Sequence, residues 1–185
     1  MEKTEHYARK YLSREIKEIE RSARGTELGE LSLYEKAIIY KYSEDGYESV
    51  NEYLRDSKGS TQNLYGNVLN SCLSKLKNYQ GVVFRCANLT EQELKNYRDA
   101  LAKNIPVAEY AFVSTSKSEL TAIAFGRNTK FIIYSETGKE IEKIAKFGKH
   151  NPPNEKEVLF KSGTHFNILE ITKENNYILI TMEEI

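Results

Sequence analysis

The chain lacks several features that would place it in a specialised class of protein. It has only two cysteines, Cys72 and Cys86, in 185 residues. They offer neither a disulfide framework nor a zinc-binding spacing, so we read them as buried free thiols. No run of 18 apolar residues occurs, and the first twenty residues are too charged for a signal peptide. The sequence therefore predicts a soluble chain with neither a membrane span nor a secretory leader.

The chain also lacks an excess of charge of either sign. Its 27 basic residues balance its 27 acidic residues, so the formal net charge is zero. A protein without a net positive field does not recruit nucleic acid or an anionic membrane as a whole. Such a partner would have to be bound locally, at basic stretches such as "KLKNYQ", "KSGTH" and "KFGKH".

The pattern of apolar residues changes near residue 80, from helical spacing to strand-like runs. Residues 1–31 and 32–80 carry apolar side chains at three- and four-residue steps, which predicts an extra N-terminal helix followed by a helical part. Residues 81–185 are dominated by β-branched and aromatic runs joined by turns. Helices first and antiparallel strands after predict the α+β class. The length fits one domain, residues 1–185, with a single core.

Two helix starts carry the sequence pattern of a capping box. Ser32 is followed three residues later by Glu35, and Thr90 is followed by Glu93. In a capping box the two side chains bond each other's backbone N–H groups. A further helix is predicted over "NVLNSCLSKLKNY", which ends at Tyr79.

Three fragments of the strand-rich part place polar side chains at strand ends. Arg85 follows the apolar run "VVF", where its planar guanidinium could bind a diphosphate with two hydrogen bonds. "EKEVLF" begins with Glu155 and Glu157, which alternation along an extended strand would place on one face, with Lys156 on the other. Between them in sequence, "FVSTS" ends in hydroxyl side chains able to orient a sugar or a carboxylate: Ser114, Thr115 and Ser116.

The order arginine, then Ser-Thr-Ser, then Glu-x-Glu resembles the bacterial mono-ADP-ribosyltransferases of the arginine-serine-glutamate class. That class includes actin-modifying binary toxins and Rho-modifying exoenzymes. The resemblance extends from about residue 32 to the C-terminus. It implies an ADP-ribosyltransferase fold, in which two antiparallel sheets form the core, helices flank them and NAD lies in the cleft between the sheets. It also implies NAD as a co-substrate and no metal ion.

The resemblance implies further residues of the NAD pocket. Tyr42 and Asn51 have the nine-residue separation of a tyrosine and an asparagine that contribute to this pocket in the family. In "AFGRNTKF", Phe125 would pack against nicotinamide and Arg127 would contact phosphate. The substrate-recognition residues would be Phe147, in the loop before the glutamates, and Tyr47. The full set of implied cofactor-binding residues is Arg85, Tyr42, Asn51, Thr115, Ser116, Phe125 and Arg127.

By the same resemblance, Glu157, Glu155 and Ser114 are the catalytic residues. Breaking the nicotinamide–ribose bond leaves an oxocarbenium-like centre, and Glu157 would grip the 2′-hydroxyl and stabilise that cation. Ser114 would hold Glu157 in position, and Glu155 would orient the nucleophile or take its proton. In this family, members that have a glutamate at the first position of the Glu-x-Glu motif, here Glu155, use arginine as the acceptor. The implied activity is transfer of ADP-ribose to an arginine of a target protein by a toxin or effector.

The implied partners are the target protein with its acceptor arginine and a delivery or immunity protein, with the chain itself a monomer. As a toxin it would be secreted, or delivered into the cytosol of a target cell. Two alternatives stay open. The acceptor could be a nucleic-acid base, or the chain could be a binding module that kept the fold and lost catalysis.

Each motif also has a purely structural interpretation. Glu155 and Glu157 could be a solvated strand start, and Arg85 could pair with a surface acid. The hydroxyl triplet could cap the following helix. The tyrosines, Phe125 and Phe147 could be core residues. Only the spatial arrangement of these side chains decides between the two interpretations.

Overall fold

The computed structural model describes residues 2–60, 62–125 and 128–185. In these ranges the α-helices are α1 (Glu2–Tyr11), α2 (Ser13–Glu20), α3 (Leu33–Lys41), α4 (Tyr47–Asp56), α5 (Leu64–Leu73), α6 (Glu91–Lys103) and α7 (Glu119–Ala122). The strands are β1 (Asn78–Ala87), β2 (Val107–Glu109), β3 (Val113–Ser116), β4 (Thr129–Glu140), β5 (Glu157–Phe160), β6 (Thr164–Lys173) and β7 (Ile178–Glu184). A 3₁₀ helix (Ala23–Thr26) follows α2, a π-helix (Tyr42–Gly46) precedes α4, and a second 3₁₀ helix (Ile123–Phe125) follows α7.

Helices α3 and α6 begin at the two predicted capping boxes. The Ser32 hydroxyl accepts a hydrogen bond from the Glu35 backbone N–H at 3.3 Å, and the Ser32 N–H donates to the Glu35 carboxylate at 2.9 Å. Thr90 and Glu93 make the same reciprocal pair of bonds. Both predictions are confirmed, because a capping box uses only residues three positions apart and needs no distant partner.

Two other helical predictions differ from the structure. The predicted N-terminal helix over residues 1–31 is, over the described residues 2–31, two α-helices and a 3₁₀ turn, and the break between the α-helices falls at Leu12, which has a φ of −123° and a buried side chain. Helix α5 ends at Leu73 rather than at Tyr79, because Asn78 and Tyr79 already pair with β4. At the end of α5, pairing with a distant strand thus outweighs local helix propensity.

The strands are joined into one hydrogen-bonded sheet in the order β1-β3-β5-β4-β7-β6-β2, with an additional pairing of β1 with β4. Strand β4 pairs with β1 along most of its length and with β5 at its last two residues. The predicted pair of sheets is therefore continuous through β4. The β4–β7 pair is parallel, and the other pairs are antiparallel. The α+β class is confirmed.

Two clusters of buried side chains join these layers. One packs the N-terminal helices against the end of β4 and against β5, and it contains Ile19, Ile38, Leu69, Ile141 and Leu159. The other lies between α6 and the sheet, and it contains Leu94, Phe131, Ile133, Phe160 and Phe166. The helical half therefore packs directly on the segment that joins β4 to β5, which we call the 141–156 loop. Among the described residues, no helix is both long and apolar enough to cross a lipid bilayer.

Candidate active site

A cavity of about 690 Å³ opens between the helical half and the strand-rich half, a volume typical of small-molecule and cofactor sites. One wall comes from the π-helix and α4, and the other from β1, β3 and the start of β5. Every predicted site residue that the structure describes lies on these walls, whereas Arg127 lies outside the described residues. They are Tyr42, Tyr47, Asn51, Arg85, Ser114, Thr115, Ser116, Phe125, Phe147, Glu155 and Glu157.

Pairing of β3 with β5 holds Glu157 against the hydroxyl triplet. Glu157 is opposite Ser116 in the ladder, and Ser114 is two residues along on the same face, within reach of a diagonal contact. The Ser114 hydroxyl donates to Glu157 Oε1 at 2.7 Å. This hydrogen bond fixes the glutamate side chain at the cavity wall.

The other two hydroxyls of the triplet hold the backbone at the start of β5. Thr115 Oγ1 donates to the carbonyl of Val158 at 2.6 Å, and Ser116 Oγ donates to the carbonyl of Glu155 at 2.7 Å. Ser116 Oγ also accepts from the N–H of Ser118 in a local turn before α7, whose N-cap, Ser118, makes no side-chain capping bond. Thr115 and Ser116 therefore support the glutamates in the structure, in addition to the cofactor contact that the sequence predicts for them.

Burial dominates the ionisation of Glu157, which is 4% exposed. Removal of its carboxylate from water and, to a smaller extent, the negative charge of Glu155 raise its pKa to about 7. The Ser114 hydroxyl and the Arg85 guanidinium act in the opposite direction, because both stabilise the carboxylate. Glu157 therefore changes charge near neutral pH.

Glu155 does not lie on the strand. Strand β5 begins at Glu157, and Lys156 has a φ of +50°, in the left-handed region, so the alternation of an extended strand does not hold across these three residues. The prediction that both glutamates lie on one face of an extended strand is wrong. Both nevertheless reach the same cavity, because the Glu155 N–H donates to the Phe147 carbonyl at 2.9 Å while Ser116 binds the Glu155 carbonyl. Partial burial raises the pKa of Glu155.

Arg85 reaches the cavity from β1, where it is opposite Phe131 of β4. Its Nη1 donates to the Ser114 carbonyl at 2.8 Å. The guanidinium has five N–H donors, so this contact leaves most of them for an anionic ligand. The interpretation of Arg85 as half of a surface ion pair is not what the structure shows.

Tyr42 and Asn51 form one buried unit between the π-helix and α4. Asn51 Nδ2 donates to the Tyr42 hydroxyl at 3.1 Å, and Asn51 Oδ1 accepts from the Phe112 N–H at 3.0 Å. Burial raises the pKa of Tyr42, so its hydroxyl stays protonated. The Tyr42 ring also packs edge-on against Phe112, with centroids 5.5 Å apart. Tyr42 is thus both a core residue and part of the cavity wall.

Exposed aromatic side chains stand at the cavity. Tyr47, at the start of α4, is 43% exposed. Phe125, in the second 3₁₀ helix, is 58% exposed, and Phe147, in the 141–156 loop, is 38% exposed. None of the three is a core residue. They offer apolar surface to whatever enters the cavity.

The cavity also contains residues that the sequence analysis did not find. Arg55 is one, and its signal was present, because it lies four residues after Asn51 on the same helix face. Glu48 had a similar signal, because it lies three residues before Asn51 on the same helix. The others reach the cavity through the fold: Ser43, Glu44, Glu52, Phe84, Cys86, Ala87, Asn88, Phe112 and Ala122.

The fold is shared with solved ADP-ribosyltransferases. The structure of exoenzyme S from Pseudomonas aeruginosa, solved with human 14-3-3 protein beta and carba-NAD, superposes with a TM-score of 0.78 at 18% identity, covering 98% of this chain and 86% of that one. The structure of the ADP-ribosyltransferase Vis with agmatine superposes with a TM-score of 0.69 at 23% identity, and the match covers 95% of this chain and 85% of Vis. Residues 8–185 match the model of the ADP-ribosyltransferase exoenzyme family. The chain belongs to that family.

Sequence relatives carry names that specify an acceptor. Mav of Mycobacterium avium (strain 104), named as an NAD(+)–arginine ADP-ribosyltransferase, is 33% identical over 139 residues, which cover 74% of this chain and 16% of Mav. Vis of Vibrio splendidus (strain 12B01), named in the same way, is 26% identical over 192 residues, covering 94% of this chain and 74% of Vis. The chain thus spans about a sixth of Mav and about three quarters of Vis.

Proposed function

We propose that the protein is a mono-ADP-ribosyltransferase that cleaves NAD and transfers ADP-ribose to an arginine of a target protein, as a bacterial toxin or effector. The observation that carries the proposal is the buried Glu157 carboxylate, bonded to Ser114 at 2.7 Å in a cavity that also contains Glu155. Family membership and the names of Mav and Vis support it.

Glu157 would act on the bond between nicotinamide and ribose. As that bond breaks, its electron pair leaves with the nicotinamide nitrogen and positive charge develops on the ribose. A fixed carboxylate beside the sugar stabilises this charge in the transition state and can accept a hydrogen bond from the 2′-hydroxyl. Ser114 prevents the carboxylate from turning away, and burial strengthens its electrostatic effect.

NAD, with no metal ion, would be the co-substrate held in the cavity. Arg85 has donors free for the diphosphate, and Arg55 supplies a second cation on the opposite wall. Asn51 and the protonated Tyr42 hydroxyl offer polar contacts, and Phe125 offers an aromatic face for the nicotinamide ring. The carba-NAD in the exoenzyme S structure supports this assignment.

Glu155 would bind the acceptor arginine. A carboxylate pairs with a guanidinium through two parallel hydrogen bonds, which orients one nitrogen toward the ribose carbon. Because the guanidinium pKa is so high, its proton would leave for Glu155 as the new carbon–nitrogen bond forms, not before. Tyr47 and Phe147 would contact the surface of the target protein around this arginine.

The wider setting of the activity is also a proposal. The protein would act as a monomer that is secreted or delivered into the cytosol of a target cell, with a delivery or immunity protein as a further partner. A nucleic-acid base is the less favoured acceptor, because the chain has no net positive charge and because Mav and Vis are named for arginine as the acceptor.

Incubation with labelled NAD tests the proposal. We expect release of nicotinamide and transfer of the label to agmatine, a small guanidine, but not to the equivalent amine putrescine. In a cell lysate the label should survive nuclease and be removed by protease. Label that is removed by nuclease would identify a nucleic-acid acceptor. No nicotinamide above a Glu157→Ala control would leave a binding module as the function.

The pH dependence of NAD cleavage should follow the ionisation of Glu157. Because the anion is the active form and its pKa is about 7, the rate should rise from pH 6 to pH 8 and then level off. Ser114→Ala removes a donor that lowers this pKa, so the midpoint should move to higher pH. Initial rates of nicotinamide release across this range measure both midpoints.

Ser71→Ala is the matched control, since it removes an exposed hydroxyl that bonds a backbone carbonyl in α5. Its midpoint should equal that of the wild type. A Ser114→Ala midpoint at or below the wild-type value would contradict the role assigned to this hydrogen bond.

A further inference from the structure

Arg24 makes contacts that the proposed site does not explain. It lies in the first 3₁₀ helix and is 8% exposed. Its Nε donates to the carbonyls of Ile144 at 3.1 Å and Ala145 at 3.3 Å, and its Nη2 donates to those of Ala145 and Lys146, both at 3.2 Å. Over the described ranges of the chain, no carboxylate forms a salt bridge with it. This buried guanidinium also lies over the Tyr40 ring, 5.3 Å from its centroid, but its hydrogen bonds all go to three consecutive carbonyls of the 141–156 loop.

Those carbonyls need a donor because of how the loop begins. The N–H groups of Ile144 and Ala145 both donate to the Ile141 carbonyl at 2.8 Å, which forms a single helical turn. The carbonyls at the end of such a turn have no partner within it and carry partial negative charge. The planar fork of an arginine can bind several of them at once, which a lysine ammonium cannot do in the same geometry.

The contacts of Arg24 lead directly to the cavity. Lys146, the last residue that it binds, donates its N–H to Ser43 Oγ at 2.8 Å. The next residue is Phe147, whose side chain lines the cavity and whose carbonyl accepts from the Glu155 N–H at 2.9 Å. Arg24 therefore binds the residue directly before Phe147, and Phe147 in turn is hydrogen-bonded to Glu155.

A second residue of the same segment holds the same loop. The Glu27 carboxylate lies 3.1 Å from His150 Nε2 and 3.7 Å from the ammonium groups of Lys143 and Lys149. The segment from Arg24 to Glu27 thus contacts the loop both before and after Phe147. Glu157 does not depend on these contacts of Arg24 and Glu27, because Ser114 and the β3–β5 ladder hold it.

We propose that Arg24 is a positioning residue that fixes the 141–156 loop, and with it Phe147 and Glu155, for the acceptor. The acceptor part of this inference rests on the proposed function. It follows that loss of Arg24 should impair use of the acceptor far more than cleavage of NAD. Residues 1–31, outside the motifs of the sequence, would then contribute to substrate use rather than only to the core.

Three variants test this inference: Arg24→Met, which removes the donors, Arg24→Lys, which keeps the charge without the fork, and Arg21→Met. Arg21 is the matched control, because it is an exposed arginine three residues earlier. Hydrogen exchange of the full chain reports on the loop without any need for activity, through the Glu155 and Lys149 amides, which donate to the Phe147 and Glu142 carbonyls. Kinetics with NAD alone, and with NAD plus agmatine or a target protein, report on the two reactions.

We expect Arg24→Met to speed exchange across the 141–156 loop by about tenfold or more and to leave β6 and β7 unchanged. It should lower kcat/KM for the acceptor by about 10- to 100-fold, mainly through KM, with NAD hydrolysis within about threefold of wild type. For Arg24→Lys, both the exchange rate of the loop and kcat/KM for the acceptor should lie between those of the wild type and Arg24→Met. Arg21→Met should match the wild type in both.

Unchanged loop exchange in Arg24→Met would overturn the inference whatever the activities show. Faster exchange throughout the sheet, or an equal fall in both reactions, would reduce Arg24 to a residue that stabilises the whole fold and would overturn it too. A wild type that releases nicotinamide but modifies no guanidine refutes the proposed acceptor instead. The exchange data alone then decide whether Arg24 holds the loop.

Discussion

Replacement of Glu157 by glutamine is expected to lower the rate of nicotinamide release by about 100- to 1000-fold, the loss typical of a preorganised electrostatic group at a transition state. Glutamine keeps the shape of the side chain and a carbonyl oxygen that can accept the Ser114 hydrogen bond of 2.7 Å. What it removes is the negative charge. The size of the fall therefore measures the charge rather than the packing.

The stability of the Glu157→Gln variant provides an internal check. The folded-state pKa of about 7 lies above the ordinary value of 4.5, so the folded protein binds this proton more tightly than the unfolded chain. Ionisation of Glu157 then costs stability progressively as the pH rises from about 4.5 to 7. At pH 8 the variant should be more stable than the wild type, by up to about 3 kcal/mol, and below pH 4 the difference should vanish.

Glu170→Gln makes the same substitution at an exposed position of β6, away from the cavity, and should not change the rate. Affinity for NAD, measured by calorimetry, should remain within a few-fold of wild type in both variants. Nicotinamide release by Glu157→Gln within tenfold of wild type, with NAD bound, would remove Glu157 from its proposed role.

The parts of this fold that the sequence predicted correctly are those that depend on neighbouring residues. Ser32 and Thr90 mark helix starts because each capping box closes within three residues. The end of α5 could not be predicted in the same way, since Tyr79 pairs with Gly138 of β4, which lies far along the chain, and this pairing competes with the helix. The parallel β4–β7 pair has the same origin, because strand direction depends on the path of the chain between strands.

The candidate site divides in a similar manner. The resemblance to a known family predicted Tyr42 and Asn51 through their nine-residue separation, and Arg85, Ser114 and Glu157 through the order of their motifs. The conformation of Lys156, with its φ of +50°, was not predictable from alternation, because its segment is bonded to distant residues: the Lys117 N–H donates to the Lys156 carbonyl and Ser116 Oγ donates to the Glu155 carbonyl. Arg24 carried no signal at all, since the carbonyls that it binds lie about 120 residues away in sequence and carbonyls are common to every residue type.

The position of Glu155 leads to a second large effect. Glu155→Gln is expected to lower transfer to an arginine acceptor by about 100- to 10,000-fold, the contribution typical of a general base, while NAD hydrolysis stays within a few-fold of wild type. The backbone of Glu155 is held on both sides, at its N–H by Phe147 and at its carbonyl by Ser116. The substitution therefore removes a charge without releasing the loop. Parallel assays of ADP-ribosyl-agmatine and free ADP-ribose measure transfer and hydrolysis separately, and Glu170→Gln is the control. An equal loss of both products would show that Glu155 and Glu157 do not have separate roles in the two reactions.

The remaining hydrolysis in Glu155→Gln should also carry a signature in its pH dependence. The charge of Glu155 is one of the causes that raise the pKa of Glu157 to about 7, so its removal should lower that pKa. Because the Glu157 anion is the active form, the midpoint of NAD hydrolysis should move to lower pH, opposite to the shift expected for Ser114→Ala. Relative to its own plateau, the variant should then hydrolyse NAD faster at pH 6 than the wild type does. A midpoint that stays in place would mean that the two carboxylates do not interact through the cavity, and the loss of transfer would then need another cause.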